Sequence, residues 1–202
     1  MTYVLEAWDE ATGCIAHRWI LEEVDDELGY RLTAQDLPYQ AHLDLSNEEA
    51  ARIQRKLGLM LRADQRLTLR KKLRLDDLPY EVHTGRELSL MLKKAKPLAV
   101  FSDAHPNLSC VGAIPESYFD PYVKDGKFVK AERIDPAAAR GTPGVRRVFY
   151  ALPEEAWRIQ AYNLMLDAAA RSGWCEALER IEGALLGYRE DETDAYLDLM
   201  RK

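Results

Sequence analysis

Short segments in which apolar and polar residues alternate dominate the first three quarters of the chain. A period of two places every second side chain on the same face, which is typical of a half-buried β-strand. Over residues 66–75 this pattern puts basic side chains on one face and leucines on the other, with Lys71 as the only exception. The strands predicted from alternation or from short apolar runs are residues 2–8, 15–21, 39–45, 66–75, 80–83, 97–101, 128–134 and 145–152.

Other apolar residues recur every three or four positions, which is the spacing of an amphipathic helix. Two of these segments follow a capping box, in which a serine or threonine and a glutamate three residues later satisfy free backbone N–H groups. The boxes are Ser46–Glu49 and Thr84–Glu87, and the second begins a helix predicted over 87–94. A short helix is also predicted over 115–123.

Three helices are predicted after Pro153, because glycines at 173 and 187 divide the apolar periodicity into short segments. One stripe of the first of these helices is predicted to face the core. The stripe consists of Trp157, Ala161, Leu164 and Ala168. Short connections between the helices favour a compact antiparallel arrangement.

Strands followed by helices predict an α+β fold, with an antiparallel or mixed sheet built from ββα-like units and a three-helix C-terminal part. The glycine- and proline-containing break at 139–144 marks a candidate boundary. We therefore expect a sheet region over residues 1–144 and a strand-plus-helix region over 145–202, packed together as one unit.

The first region contains the motif Asp-Leu-Pro-Tyr-x-x-His twice, at 36–42 and at 77–83. The shared residues are mostly turn chemistry, since proline fixes its own φ and restricts the residue before it. The repeat therefore indicates duplicated architecture rather than two equivalent sites. If one copy carries a function, we expect the second, because His83 directly precedes the capping box that contains Arg86.

Composition places the chain among globular proteins. Its 202 residues are 47% hydrophobic and 31% charged, enough for a packed core in one large or two small domains. The N-terminus does not resemble a signal peptide, and no apolar run approaches the ~18 residues of a membrane helix. Three scattered cysteines argue against a disulfide framework. We expect a cytoplasmic protein with no membrane contact, no cofactor and no metal site.

The charges are unevenly distributed although the net charge is only −6. The basic window 52–74 contains the candidate partner-binding residues Arg66, Arg70, Lys72 and Arg74. An acidic protein partner suits such a face better than nucleic acid, because the window has no aromatic residue on which a base could stack. A solvated face, or one paired with acids inside the fold or across a homo-oligomer, explains the same pattern.

Four residues around the second motif form the densest set of reactive types. They are the candidate ligand-binding residues His83, Arg86, Asp103 and His105. A strand end, a helix N-terminus and a loop after a strand can converge into an anion or phosphate pocket, with Arg86 as clamp and a histidine as acid or base. A metal site that uses the two histidines and Asp103 is an alternative. The third interpretation is that these are only capping and surface residues.

No complete nucleophilic triad, phosphate-binding loop or dinucleotide motif occurs, so we assign no catalytic residue. The favoured hypothesis is a non-enzymatic interaction protein, by analogy with bacterial immunity, antitoxin or adaptor proteins, that binds a protein partner through segregated charged faces. One alternative is an enzyme that acts on a phosphate-bearing or other anionic substrate. The other is a nucleic-acid-binding protein that uses the basic strand face.

Overall fold

The computed structural model describes residues 2–22, 24, 42–60, 62, 64–106, 114–137 and 142–201. This part of the chain contains antiparallel sheets and α-helices, which confirms the predicted α+β class and the three C-terminal helices. It forms two compact units. The first comprises Met1–Leu78 and Thr84–Arg86, and the second comprises Pro79–His83 and Glu87–Lys202.

The elements follow one another from strand-rich to helix-rich segments. The strands are β1 (Tyr3–Asp9), β2 (Cys14–Leu21), β3 (Leu43–Asp44), β4 (Gln65–Lys71), β5 (Leu98–His105), β6 (Val129–Asp135) and β7 (Gly144–Ala151). The helices are α1 (Asn47–Leu57), α2 (Glu87–Leu92), α3 (Glu116–Lys124), α4 (Trp157–Ser172), α5 (Glu176–Leu186) and α6 (Glu190–Arg201), with 3-10 turns at Arg74–Asp77 and Pro153–Glu155.

The first unit is built on a four-stranded antiparallel sheet in the order β2-β1-β4-β3. Side chains alternate along each strand, so Leu5 of β1 and Leu69 of β4 share the face that packs against Ile53 of α1. The capping box of α1 is confirmed, because the Ser46 hydroxyl accepts the Glu49 N–H at 3.3 Å and the Glu49 carboxylate accepts the Ser46 N–H at 2.7 Å. The opposite face of the sheet carries polar and charged side chains.

The second unit is built on a three-stranded antiparallel sheet in the order β5-β7-β6. One face, which includes Phe149 of β7, packs against Ile159 and other residues of α4. On the other face Tyr150 meets Phe119 of α3, with ring centroids 4.5 Å apart. Helices thus cover both faces of this sheet. No helix in the described part of the chain is long and apolar enough to cross a membrane.

The division between the units differs from the boundary expected at residue 144. Strand β7 begins at Gly144 and pairs along its length with both β5 and β6, so a cut there would remove the central strand of a sheet. The chain instead passes between the units three times, after Leu78, His83 and Arg86. Each unit is therefore discontinuous in sequence.

Several predicted strands are shorter than expected. The alternation over 66–75 is confirmed only to Lys71, where β4 ends, and a 3-10 turn follows from Arg74. Residues 80–83 form no strand. In the predicted strand 39–45, only Leu43–Asp44 pairs with a neighbour, and residues 39–41 lie outside the described part together with the first Asp-Leu-Pro-Tyr segment.

The stripe predicted for helix α4 is buried only in part, because Ala161 and Ala168 pack against the core but Trp157 and Leu164 do not. Ile159, Tyr162 and Met165 face the core, whereas Trp157 is 58% exposed and Leu164 is 62% exposed. Both stripes have helical spacing, so periodicity alone does not distinguish them. Two large apolar side chains of this helix, Trp157 and Leu164, are therefore left at the surface.

Gly187 offers a test of the packing at the end of α5. Its φ is +88°, and an added Cβ would lie 2.4 Å from Cδ of Pro97. Gly126 has a similar φ of +70° but open space around it. We expect Gly187→Ala to lower the free energy of unfolding by about 3 kcal/mol and Gly126→Ala by about 1 kcal/mol, because only the first adds overpacking to backbone strain. Urea unfolding followed by circular dichroism measures both, and equal losses would contradict the close approach.

Candidate functional site

The four predicted ligand-binding residues are divided between the units. Arg86 belongs to the first unit, and His83, Asp103 and His105 belong to the second. His83 contacts Lys96, just before β5 begins, whereas Asp103 and His105 lie at the end of β5. The stretch from Lys96 to Asp103 spans roughly 20 Å at the rise of a β-strand. His105 is the last residue of β5, whereas His83 contacts Lys96 near the other end of that strand. An anion pocket made from all four residues stays a prediction from the sequence.

Asp103 lies beside a cluster of ion pairs on β6, β7 and α3. It faces Arg146 across the β5–β7 ladder. Arg146 donates to both carboxylate oxygens of Glu116 at 3.0 Å and to Glu132 at 2.9 Å. The hydrogen bonds from Arg146 and Lys130 lower the pKa of Glu116 to about 2. The arginine nearest Asp103 is therefore already bonded to carboxylates of its own unit.

The basic face predicted on β4 is centred on a residue that is not at the surface. Arg70 is 5% exposed and belongs to a buried ion cluster around Glu6, which lies fully buried in the middle of β1. Arg18 Nε donates to Glu6 Oε1 at 2.9 Å, and Arg70 Nη2 donates to the same oxygen at 3.0 Å. Arg70 also donates to both carboxylate oxygens of Asp76, at 2.7 and 2.8 Å. Burial and these bonds keep Arg70 from contacting a partner.

The other three predicted partner-binding residues lie closer to solvent. Arg66 Nη1 donates to Asp44 at 2.7 Å, and Lys72 forms an ion pair with Asp77. Arg74 is exposed at the start of the 3-10 turn. Exposed ion pairs contribute little and exchange readily with solvent, so these residues remain accessible but do not form a continuous row with Arg70.

His42 lies at the edge of the buried ion cluster. Its Nδ1 is 3.2 Å from Glu6 Oε2, and its ring meets that of Trp8 edge to face at 5.7 Å between centroids. The contact has the length of an ion pair but lacks the geometry of a straight hydrogen bond, and Oε2 has no hydrogen bond elsewhere in the described residues. A carboxylate behind an imidazole can orient it as a general base. Arg18 and Arg70, the cations nearest to His42 and Glu6 in this cluster, are already bonded to carboxylates. They are therefore not available to hold an anionic substrate beside His42.

The pKa values of the two carboxylates in this cluster, Glu6 and Asp76, are both lowered. Burial raises the pKa of Glu6, but the contact with His42 and the charges of Arg70 and Arg18 outweigh it, so the pKa falls below its ordinary value. Burial likewise raises the pKa of Asp76, and bonds from Arg70 and the Leu73 N–H outweigh it. Both carboxylates are therefore ionised at neutral pH. Sequence reasoning missed Glu6, although an acid between Val4 and Trp8 on one strand face is a signal of a paired buried charge.

Lys96 is a second buried charge and lies in the second unit. It is 3% exposed, and its Nζ lies 3.2 Å from His83 Nδ1 and donates to the Leu186 carbonyl at 3.2 Å. The His83 ring stacks on Tyr188 with 4.0 Å between centroids, and the His83 N–H donates to the Tyr188 hydroxyl at 3.0 Å. The cation thus lies at the C-terminal end of α5, where the helix dipole favours positive charge.

Burial strongly shifts both titrating groups of this pair. It lowers the pKa of Lys96 to about 8, against the opposing charges of Glu87 and Glu182. Burial and the charge of Lys96 lower the pKa of His83 to about 4, so at neutral pH an uncharged imidazole faces the ammonium. A lysine of lowered pKa can act as a base or nucleophile. Lys96 is closed to solvent. Its contacts with His83 and with the Leu186 carbonyl join segment 79–83 to the end of α5.

Neither buried cluster contributes a residue to the cavity found in the second unit. That cavity has a volume of about 250 Å³, belongs to the second unit and is lined by Met91, Phe128 and Leu152 among others. No group of three or more His, Cys, Asp or Glu residues in the described ranges is arranged to hold a metal ion.

The most accessible feature of the second unit is an apolar surface on α4 and α5. Arg158 of α4 donates to the Ala184 carbonyl at 2.7 Å, and the Tyr162 hydroxyl donates to Glu182, so the two helices run antiparallel side by side. Ile181 of α5 is 47% exposed. The apolar helix face, as we call it, consists of Trp157 and Leu164 of α4 and Ala177, Ile181 and Ala184 of α5. Ala161 and Ala168 of α4 are half-buried and pack against the core.

Comparison with known proteins adds no assignment. No protein-family model, no curated protein and no solved structure matches the chain. The function must therefore be argued from the residues themselves.

We expect Glu6→Gln to lower the free energy of unfolding by about 3 kcal/mol at pH 7, because it leaves the buried charge of Arg70 incompletely compensated. The matched control is Asp44→Asn, which breaks an exposed ion pair in the same unit and should cost less than about 1 kcal/mol. Chemical denaturation at neutral pH measures both losses. Similar small losses would show that the buried cluster adds nothing to stability.

The same variant has an expected pH signature. The folded-state pKa of Glu6 is lowered, so its stabilising contribution is present above the unfolded pKa and is lost as pH falls through the folded pKa. Wild-type protein should therefore lose stability more steeply than Glu6→Gln as the pH falls below about 4.5. Parallel curves over that acid range would argue against the assignment.

We expect Lys96→Met to raise the pKa of His83, since it removes the neighbouring positive charge while burial remains. Titration of the His83 ring by NMR measures this shift, and Lys94→Met, which removes an exposed lysine, should leave it near 4. Because the folded pKa of Lys96 is below 10.5, wild-type stability should rise with pH from about 8 to 10.5, and the Lys96→Met variant should lose that rise. An unchanged His83 titration would refute the coupling.

Proposed function

We propose that this chain is a non-enzymatic, cytoplasmic interaction protein of the immunity, antitoxin or adaptor type, and that it binds a protein partner through the apolar helix face. The observation that carries the proposal is the exposure of Trp157 and Leu164 one helical stripe away from the core. Contiguous exposed apolar patches mark protein-binding surfaces. Tryptophan is also among the residues that most often dominate binding energy at such surfaces.

The charged surfaces favoured by the sequence support this function less strongly. Arg70 is buried, and several acids of the C-terminal helix already form ion pairs, such as Asp194 with Arg180 and Asp198 with Arg201. Charges that are satisfied within the chain have to exchange partners before they bind another protein, and the net gain is small. The remaining exposed basic residues are better suited to steering a partner than to holding it.

The two alternatives lack a comparable observation. An enzyme needs its reactive groups within reach of one substrate. Lys96 is buried, and its partner His83 is half-buried and stacked on Tyr188. A nucleic-acid surface needs a row of accessible cations, and burial of Arg70 interrupts the row on β4. The cytoplasmic part of the proposal is supported by Cys14 and Cys175, which are free thiols.

Photo-crosslinking inside the cells that make the protein tests the proposal. A photoreactive phenylalanine analogue at Leu164 should give a discrete adduct of higher mass, because that position is 62% exposed at the centre of the apolar helix face. The matched control is the same analogue at Tyr118, an exposed aromatic position on α3. Mass spectrometry of the adduct identifies the chain that was captured. An adduct pattern that is the same at both positions, or no adduct at either, would refute the proposed surface.

A further inference from the structure

Segment 79–83 is held on the second unit by side-chain contacts of Tyr80 and His83. The His83 N–H donates to the Tyr188 hydroxyl at 3.0 Å, and the His83 ring stacks on the Tyr188 ring with 4.0 Å between centroids. Tyr80 meets the same ring edge to face at 5.9 Å. Residues 79–83 form neither a helix nor a strand, so the attachment of this segment depends on these few contacts.

The contact between His83 and Lys96 requires an uncharged histidine. Lys96 is 3% exposed, and its Nζ lies 3.2 Å from His83 Nδ1. An ammonium group has only donors, so Nδ1 has to accept through a lone pair that a protonated imidazole lacks. Protonation of His83 therefore removes an acceptor from Lys96 and adds a second positive charge beside it. Because Lys96 is buried, this repulsion is screened much less than at the surface.

The negative charges around this pair come from three helices. Glu87 of α2 and Glu182 of α5 act on Lys96. Together with Glu192 of α6, they also act on the tyrosine against which the histidine stacks. Despite these carboxylates, burial and the charge of Lys96 lower the pKa of His83 to about 4. The surroundings therefore favour the uncharged imidazole as long as the segment is docked.

The other titrating groups behave differently as the solution is acidified. Burial raises the pKa of Tyr80 to about 12 and also raises that of Tyr188, so both hydroxyls stay uncharged. Burial raises the pKa of Glu182 as well, so this carboxylate can gain a proton in mildly acidic solution. A test of His83 therefore has to leave Glu182 in place.

We infer that segment 79–83 is an acid-sensitive latch, which docks on the second unit while His83 is uncharged and detaches when His83 gains a proton. Detachment uncovers Lys96 and one face of the Tyr188 ring. The latch uses no residue of the apolar helix face, so it is a conformational device in addition to the proposed binding surface.

The pH range of the latch follows from the pKa of His83 in its two states. That pKa is about 4 in the docked segment, and a detached histidine in water has the ordinary value of 6.5. The detached state therefore binds the proton more tightly, so docking is complete above about pH 6.5 and weakens as the pH falls toward 4. Within this range the ratio of docked to detached segment should fall about tenfold per pH unit.

Amide hydrogen exchange of the full chain, followed by NMR between about pH 7 and pH 5, tests the latch. The protection factor of the His83 N–H should fall about 20-fold over this range, because detachment breaks its bond to Tyr188. The Phe149 N–H in β7 should keep its protection, since the rest of the unit stays folded. In His83→Gln the amide at position 83 should also keep its protection, because glutamine still offers Lys96 an acceptor but does not titrate.

The opposite results overturn the latch. Constant protection of the His83 N–H in the wild-type protein shows that the segment does not detach. An equal loss in His83→Gln assigns the acid response to a carboxylate such as Glu182, which that variant retains. An equal loss at Phe149 shows that the whole unit opens rather than one segment.

A second pair of variants tests the part of Lys96. Lys96→Met removes the neighbouring charge, so the pKa of docked His83 rises and the loss of protection at its N–H should be smaller than in the wild-type protein. Lys94→Met removes an exposed lysine and should match the wild-type protein. Equal losses in both variants would contradict the latch. Circular dichroism at each pH shows whether the variants are folded.

Discussion

The fold of the first unit depends on one interaction, the pairing of the buried Glu6 carboxylate with arginines from both neighbouring strands. Removing a carboxylate from water costs several kcal/mol unless opposite charges and hydrogen bonds replace the solvent. Strands β2 and β4 supply Arg18 and Arg70, and the 3-10 turn supplies Asp76, which balances the second arginine. The second unit meets the same constraint differently, because Lys96 has neutral partners and a lowered pKa instead of a contacting carboxylate.

These buried charges mark the limit of what the sequence could predict. As far as β4 extends, the alternation predicted over 66–75 correctly placed Leu67 and Leu69 toward the core. It also correctly placed Arg66 and Arg70 on the other face. It could not show that Arg70 is covered, because its partner Glu6 is distant in sequence and comes into contact only when the sheet forms. The equivalent histidines of the repeated motif diverge for the same reason. His42 contacts Glu6, and His83 contacts Lys96, and neither partner belongs to the motif.

Helix α4 shows a different kind of ambiguity. Its local signals correctly predicted a helix that ends at Gly173, since these depend on neighbouring residues. It carries two apolar stripes, so helical periodicity is satisfied whichever stripe is buried. The packing of β7 and α5 buries Ile159, Tyr162 and Met165. Of the stripe that contains Trp157, the two alanines pack against the core, and Trp157 and Leu164 stay exposed. When a helix is apolar on two sides, its sequence shows that both sides are apolar. It does not show which side packs against the core of the same chain.

The path of the chain between residues 78 and 87 has an evolutionary consequence. Segment 84–86 returns to the first unit, where the Gly85 carbonyl accepts the Ile15 N–H at 2.7 Å and an added Cβ would lie 2.6 Å from Cδ1 of Ile15. Segment 79–83, which precedes it, belongs to the second unit. Genetic recombination at any single breakpoint in this stretch separates one unit from part of its own chain. A single recombination event in this stretch therefore transfers neither unit intact together with all of its own segments.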